Sequence, residues 1–278
     1  MIAYKEDMVS LTDRIDVAIL GAVNQEVQNL VEILEYSQII RLVGEIFTIG
    51  RFRDRILLIG TTGLGKVNAA IITAALLQRF AVKQIWNVGC AGCYTEGPLQ
   101  VGDVLVSQEV ILGDEGILTT SGVHTSRKIG IPILSRQKQV FFDSIPADPL
   151  VERLRENTPP GQYHLMRRTS LKAVFSRYCE GSSVQSSFQL TYGPSLCVGM
   201  VSGDSEIAAG RFLRYGAFAE NMEGSAVAQA CFRFKAPFIE CRGMSNKAGD
   251  RNKQNWQMQR ALRHCHAIVM NWLEPEEI

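Results

Sequence analysis

Several short stretches of this chain hold residue types that could bind or cleave a small molecule. Gly60-Thr-Thr-Gly-Leu-Gly65-Lys66 has the GxxxxGK of a phosphate-binding loop, but Val67 follows it. A nucleotide triphosphatase needs Ser or Thr there to hold magnesium. No apolar strand ending in Asp supplies the second metal ligand, so the stretch reads as a glycine-rich turn whose backbone N–H groups face a ligand. Cys90-Ala-Gly-Cys93 has CxxC spacing. A zinc site would require a further Cys or His pair, and a redox pair would open a helix in a much smaller βαβ unit. Neither context is present, so Cys90 and Cys93 read as small residues in a tight turn, and no metal is expected. Gly89-Cys-Ala-Gly92 is likewise too short for a dinucleotide fingerprint.

Nucleophilic hydrolysis by a Ser–His–acid set is weakly supported. The chain has four histidines. His264 and His266 fall two residues apart in a helical pattern and so point to different faces. His124 and His164 lie in irregular sequence, and no GxSxG elbow occurs. Three other residues fall at the ends of predicted strands: Glu26 just after Gly21, Glu223 at the start of a helix, and Asn246 after the strand IECRGMS. Singly, such residues compensate helix dipoles or make turns. Together they stand where α/β folds bind small molecules.

The elements that position them alternate. Ile15–Leu20 is an apolar strand ended by Gly21, and Val23–Glu35 has helical apolar spacing. A hairpin is predicted over Glu45–Ile49 and Arg55–Ile59, a helix over Val67–Phe80, and strands over Gln84–Val88 and Asp103–Leu112. A surface helix over Ala147–Glu156 ends at Pro159-Pro160-Gly161. Residues 161–195, rich in Ser, Tyr and Arg, read as an insertion into the main sheet. Then come the strand Leu196–Ser202, a helix near Ala208–Arg214, the strand Ala217–Glu220, the helix Glu223–Phe234, the strand Phe238–Arg242 and the helix Asn255–Leu273. This alternation predicts a single α/β domain over residues 1–278, with helices on both faces of a largely buried sheet. Residues 1–14 read as a polar tail.

Composition narrows the function classes. The 278 residues are 46% hydrophobic and 21% charged, with 29 Lys plus Arg against 28 Asp plus Glu and a net charge of +1. Nucleic-acid binders and polybasic membrane proteins usually show a basic excess, so neither partner is expected. The run Ala69–Leu77 falls well short of the ~20 apolar residues a bilayer span needs. MIAYKEDMVSLTDR is polar and mixed in charge where a signal peptide would have a basic start and an apolar core. Seven cysteines is an odd number, which argues against a disulfide framework. A cytoplasmic protein is expected.

Taken in order, Gly21-Ala-Val-Asn-Gln-Glu26-Val, Gly63-Leu-Gly-Lys66-Val-Asn-Ala-Ala70, Asn87-Val-Gly-Cys-Ala-Gly92, Val201-Ser-Gly-Asp204 and Asn221-Met-Glu223-Gly resemble the purine nucleosidase/nucleoside phosphorylase superfamily. The resemblance runs from about Asp16 to Leu112 and from about Val198 to Leu273. Within that superfamily, Met222-Glu-Gly-Ser-Ala-Val-Ala and Pro237-Phe-Ile-Glu-Cys-Arg242-Gly-Met-Ser-Asn246-Lys-Ala-Gly249-Asp-Arg251 are most similar to the futalosine hydrolases. These split futalosine into hypoxanthine and dehypoxanthine futalosine in menaquinone biosynthesis. The resemblance implies a three-layer α/β/α sandwich with a mixed central sheet, a cofactor-free enzyme, and a homodimer.

It also implies roles. Glu26 aligns with the general base that activates water, and Glu223 with the acid that holds the ribose hydroxyls and stabilises positive charge on the sugar. Gly89, Cys90, Ala91 and Gly92 would form the substrate-binding turn, Met222 would line the ribose face, and Arg242 with Ser245 would brace the base-binding strand end. Where relatives that cleave adenine nucleosides have an Asp that protonates purine N7, this chain has Asn246. A neutral amide suits a 6-oxopurine leaving group and disfavours aminofutalosine, methylthioadenosine or adenosylhomocysteine as substrate. Phosphorylases carry an arginine where Asn87 stands, which favours water over phosphate. Arg251 or Lys247 is expected to meet the substrate's benzoate. Departures from the pattern are Asn221 in place of a second Glu, Glu206 at a position that is often aromatic, and Cys90 in place of Ser. A protein that binds nucleosides without cleaving them is the rival reading from another class.

Overall fold

Strands of this chain bury both faces, and the alternation of their side chains builds two cores. A computed structural model describes residues 14–120, 122–136, 139–164 and 187–274. In chain order its main elements are β1 (Val17–Gly21), α1 (Asn24–Val31), β2 (Glu35–Leu42), β3 (Glu45–Phe52), β4 (Arg55–Thr61), α2 (Lys66–Arg79), β5 (Ile85–Cys93), β6 (Val104–Leu112), β7 (Ser144–Pro146), α3 (Pro149–Asn157), β8 (Gly161–His164), β9 (Ser187–Cys197), α4 (Ser205–Tyr215), β10 (Ala219–Asn221), α5 (Gly224–Phe234), β11 (Phe238–Lys247) and α6 (Met258–Leu273). Along β1, Val17 and Ile19 enter one core while Ala18 and Leu20 enter the other; β4 divides Leu57 and Ile59 from Leu58 in the same way. This is the period of two that a pleated strand imposes. Helices α1, α3 and α6 close the first core with Val27, Val151 and Ile268. Helices α2 and α5 close the second with Ile72, Leu76 and Val227. The result is the expected three-layer α/β/α sandwich.

The central sheet has eleven strands in the order β7-β6-β9-β10-β5-β1-β4-β3-β2, with β8 on β9 and β11 on both β5 and β6. It is mixed: β1 pairs in parallel with β4 and β5, whereas β3 pairs antiparallel with β4 and β10 antiparallel with β5. One half closes on itself. β5 pairs with β11, β11 with β6, β6 with β9, β9 with β10, and β10 returns to β5. These five strands close into a ring, in which β5 and β11 run parallel to each other and, through β5, to β1, while β6, β9 and β10 run the opposite way.

Several elements differ from their expected bounds. Helix α1 stops at Val31, and the residues beyond it turn into β2, the outer strand of the sheet. Its sequence EYSQIIRL has no clean alternation, because an edge strand leaves most side chains half or fully exposed. Strand β9 runs over Ser187–Cys197, so the expected strand at Leu196–Ser202 is instead the end of β9 and the loop after it. Of the expected insertion at 161–195, Gly161–His164 and Ser187–Ser195 are strands of the main sheet, and 165–186 fall outside the described residues. Of the expected tail, Arg14 pairs with Ala81 and residues 1–13 are not described. Gly89–Cys93 is not a tight turn: it continues β5, because Phe238–Lys247 pairs alongside it as far as Lys247 opposite Cys93.

Candidate active site

Glu26 lies in the first turn of α1, directly after the glycine that ends β1. Its carboxylate folds back onto the start of its own helix, where Oε2 accepts the N–H groups of Ala22 at 2.7 Å and Val23 at 3.4 Å. This is the reciprocal half of a capping box, satisfying donors the helix cannot. Oε1 accepts the Cys90 N–H at 2.8 Å. The side chain is 5% exposed. A carboxylate offers about four acceptor sites, so three backbone bonds leave room for one more donor. The close approach needs Gly89: any Cβ there would press on Glu26 Oε1 and stand 2.8 Å from Arg242 Nη1.

Glu223 caps α5, and its Oε1 accepts the Gly65 N–H at 2.9 Å. The Gly65 N–H, expected to face a ligand, is thus directed at a carboxylate of the protein itself. Lys66 is likewise engaged with acids, pairing with Asp114 at 2.5 Å and Glu115 at 3.0 Å. Burial holds the Glu223 carboxyl above its ordinary range, opposed by the positive charge of Arg242. Arg242 is 1% exposed and feels Glu240, Glu223 and Glu26, which reinforce its charge. It thus stands among the carboxylates. Its position on β11 faces Gly89 on β5, so the register of the two strands sets it there. Met222, between Asn221 and Glu223, is half-buried.

The other end of the site is Ser245-Asn246 on β11, paired with Gly92 through a local irregularity after Met244. Asn246 Oδ1 accepts the Ser245 hydroxyl at 2.8 Å, and Nδ2 donates to the Lys247 carbonyl at 2.8 Å. One N–H of the amide is left to donate elsewhere. Ser245 Oγ also lies 3.2 Å from the Ala91 carbonyl, tying this end to β5. Across from it, buried Glu220 accepts the Ser202 N–H and hydroxyl, the Tyr94 hydroxyl and Arg211, and so pins the loop from Gly199 to Asp204. Lys247 donates to the Leu99 carbonyl at 3.1 Å, and Arg251 is exposed with its guanidinium over Trp256. Glu206 is exposed on the first turn of α4.

Other candidates resolve plainly. Burial and the Glu26 charge push the half-buried Cys90 thiol far up, which leaves it a poor nucleophile. Cys90 and Cys93 are free, and among the described residues no group of His, Cys, Asp and Glu is placed to hold a metal. Buried His264 faces the Gly102 carbonyl, and His266 Nε2 lies 2.8 Å from the Glu26 carbonyl oxygen.

Sequence reasoning passed over Glu240. It is wholly buried, and its Oε1 accepts the hydroxyls of Ser107 at 2.7 Å and Ser195 at 2.6 Å and the Asn221 amide at 3.3 Å. Its Oε2 accepts the Asn87 amide at 3.1 Å and Arg242 Nη2 at 3.2 Å. Asn87 thus points into the closed ring of strands. Asn221 joins Glu240 to the start of α5, its Oδ1 accepting the N–H groups of Glu223 and Gly224. The available signal was an acid set inside the apolar run FIEC, which demands donors from its neighbours.

Residues 16–274 match the profile of the Phosphorylase superfamily. A 5'-methylthioadenosine/S-adenosylhomocysteine nucleosidase of Shewanella denitrificans is 28% identical over 234 residues, 84% of this chain and 87% of that protein. The futalosine hydrolase of Thermus thermophilus is 30% identical over 215 residues, 77% of this chain and 80% of its own length. Among solved structures, the methylthioadenosine/S-adenosylhomocysteine nucleosidase of Colwellia psychrerythraea in complex with adenine superposes with a TM-score of 0.71. It is 25% identical, and the match covers 94% of this chain and 95% of that one.

Proposed function

The chain belongs to the Phosphorylase superfamily, and on that premise we propose that it is a nucleosidase that hydrolyses futalosine to hypoxanthine and dehypoxanthine futalosine, in menaquinone biosynthesis. The observation that carries this reading is the arrangement around Arg242: its Nη2 bonds buried Glu240, its Nη1 and Glu26 Oε1 both close over Gly89, and the buried Glu223 carboxylate adds to the field on its charge. A site with surplus negative charge stabilises a sugar that becomes cationic as its glycosidic bond breaks. It also repels an anionic nucleophile such as phosphate, so water attacks.

In the proposed mechanism, water donates a hydrogen bond to the open acceptor site of Glu26 and approaches the anomeric carbon. Glu26 takes the proton as the new C–O bond forms. The C–N bond breaks, its electron pair leaves with the purine, and the purine regains a proton by way of solvent. Glu223, when ionised, accepts the ribose hydroxyls and offsets the developing charge. The remaining Asn246 N–H donates to the purine at N7 or O6. Because that amide carries no transferable proton, it suits hypoxanthine, the better leaving group, more than adenine. Arg251, exposed beside Trp256, is assigned to the benzoate. The reading includes a homodimer, since Leu64, Val67 and Ile71 leave a stripe of large apolar side chains exposed at the start of α2.

A second reading, cleavage of methylthioadenosine or adenosylhomocysteine, is favoured by the name of the Shewanella relative and opposed by Asn246. The test is incubation with futalosine in phosphate-free, ¹⁸O-labelled water. Release of hypoxanthine with the label in the sugar product supports the proposal. Turnover that begins only when phosphate is added, or nucleoside binding with no release, defeats it.

A further inference from the structure

We propose that Glu240 is the positioning residue of this site: from inside the closed ring of strands it holds the Arg242 guanidinium against Glu26 and Glu223. The inference rests on the nucleosidase reading and extends it to a residue that never meets substrate.

The geometry is that of a hub. Glu240 lies on β11 and receives one side-chain donor from every strand of the ring: Asn87 of β5, Ser107 of β6, Ser195 of β9, Asn221 of β10 and Arg242 of its own strand. Every partner can donate, which is what a buried carboxylate requires. Gly224 leaves room for it, because a Cβ there would collide with Glu240 Oε2.

From this hub two links reach the reacting groups. One is Arg242, whose Nη2 is bound to Glu240 Oε2 while its Nη1 lies beside Gly89 and Glu26. Its Nε is buried without a partner among the described residues. The guanidinium is therefore steered by its Glu240 contact, not by a fork of several acceptors. The other link is Asn221, which passes from Glu240 to the N–H of Glu223. A buried acid serving only to stitch the ring would need no guanidinium among its donors. The inclusion of Arg242 is what ties this hub to the chemistry.

The two oxygens are not equivalent, and that makes a clean variant available. Glu240→Gln can turn its amide toward Ser107 and Ser195, whose hydroxyls rotate to accept, and keep its oxygen toward Arg242 and Asn87, losing the longer bond from Asn221 at 3.3 Å. Shape is preserved and the charge that holds Arg242 is lost. The experiment is a double-mutant cycle on futalosine hydrolysis with Glu240→Gln, Arg242→Lys and the double variant, each checked for a cooperative thermal transition. The expected result is a kcat lowered at least about tenfold in Glu240→Gln, since small displacements of positioned groups are costly. KM should stay within about threefold. In the Arg242→Lys background the same change should cost much less, because the two act through one contact. Equal losses in both backgrounds, or an effect on KM alone, would overturn the proposal. Should Glu240→Gln fail to fold, Ser107→Ala/Ser195→Ala strips the two hydroxyl donors that fix Oε1, so the carboxylate can swing and its hold on Arg242 slackens. That variant should lower kcat with KM held, and an unchanged kcat would overturn the proposal equally. Absence of turnover in the unaltered protein is a distinct outcome, which defeats the nucleosidase reading itself.

Discussion

Glu26 Oε1 and the Cys90 N–H, 64 residues apart in the chain, meet at 2.8 Å and fasten the first helix to the strand that floors the site. The bond orients the carboxylate without using up its acceptor capacity. Glu26→Gln presents an amide to Ala22 N–H on one side and Cys90 N–H on the other, and it can accept from only one of them. Turnover is expected to fall about 10²–10⁴-fold, the usual contribution of a general base, with retained affinity for a non-hydrolysable nucleoside analogue by calorimetry. A near-normal rate would remove Glu26 from the role of base.

Gly89→Ala tests the same contact from the opposite side. The added methyl would press on Glu26 Oε1 and crowd Arg242, and the backbone φ of +153° disfavours a side chain as well. Activity should drop at least about tenfold, since small displacements of positioned groups are costly. The thermal transition of the variant should remain cooperative. Full activity would mean that the carboxylate has space to move without consequence.

Asn246→Asp should redirect the enzyme toward 6-amino nucleosides. Asp keeps the acceptor for the Ser245 hydroxyl, but its second oxygen replaces an amide that donates 2.8 Å to the Lys247 carbonyl. Facing that carbonyl favours a protonated carboxyl, and a protonated Asp is the group that assists adenine departure. The kcat/KM ratio of aminofutalosine to futalosine is expected to rise at least about tenfold. An unchanged ratio would separate Asn246 from base recognition.

Acid should destabilise the protein through two histidines. His264 and His266 are buried, and burial lowers both to about 4 from an ordinary 6.5. The unfolded chain therefore binds more protons between those values, so stability is full above pH 6.5 and declines as pH falls toward 4. Each histidine contributes a slope of about 1.4 kcal/mol per pH unit. Urea midpoints should be lower at pH 5 than at pH 7, with a gentler decline in His266→Gln. Equal midpoints in the unaltered protein would contradict the burial of these rings in neutral form.

Much of this was legible in the chain. Apolar runs located β1, closed by Gly21, and placed Glu26, Glu223 and Asn246 at strand ends. Local pattern could not locate Glu240, because its partners come from five strands and only ring closure brings them together. Asn87 read as a mark against phosphate, and Asn221 as a departure from a family pattern, until that closure gave both a common acceptor. The outer strand β2 was missed because an edge strand need not alternate. That Arg242 faces Gly89 could not be read either, since sequence spacing does not reveal which residue of β5 a β11 side chain faces.

The central claim is best tested by measuring kcat/KM for futalosine, aminofutalosine and methylthioadenosine side by side, with purine release followed by chromatography with and without phosphate. Hypoxanthine from futalosine, independent of phosphate and strongly preferred over adenine from either 6-amino substrate, is the expected result. Preferential release of adenine would contradict it, leaving Glu26 as base but assigning the purine pocket to a different substrate.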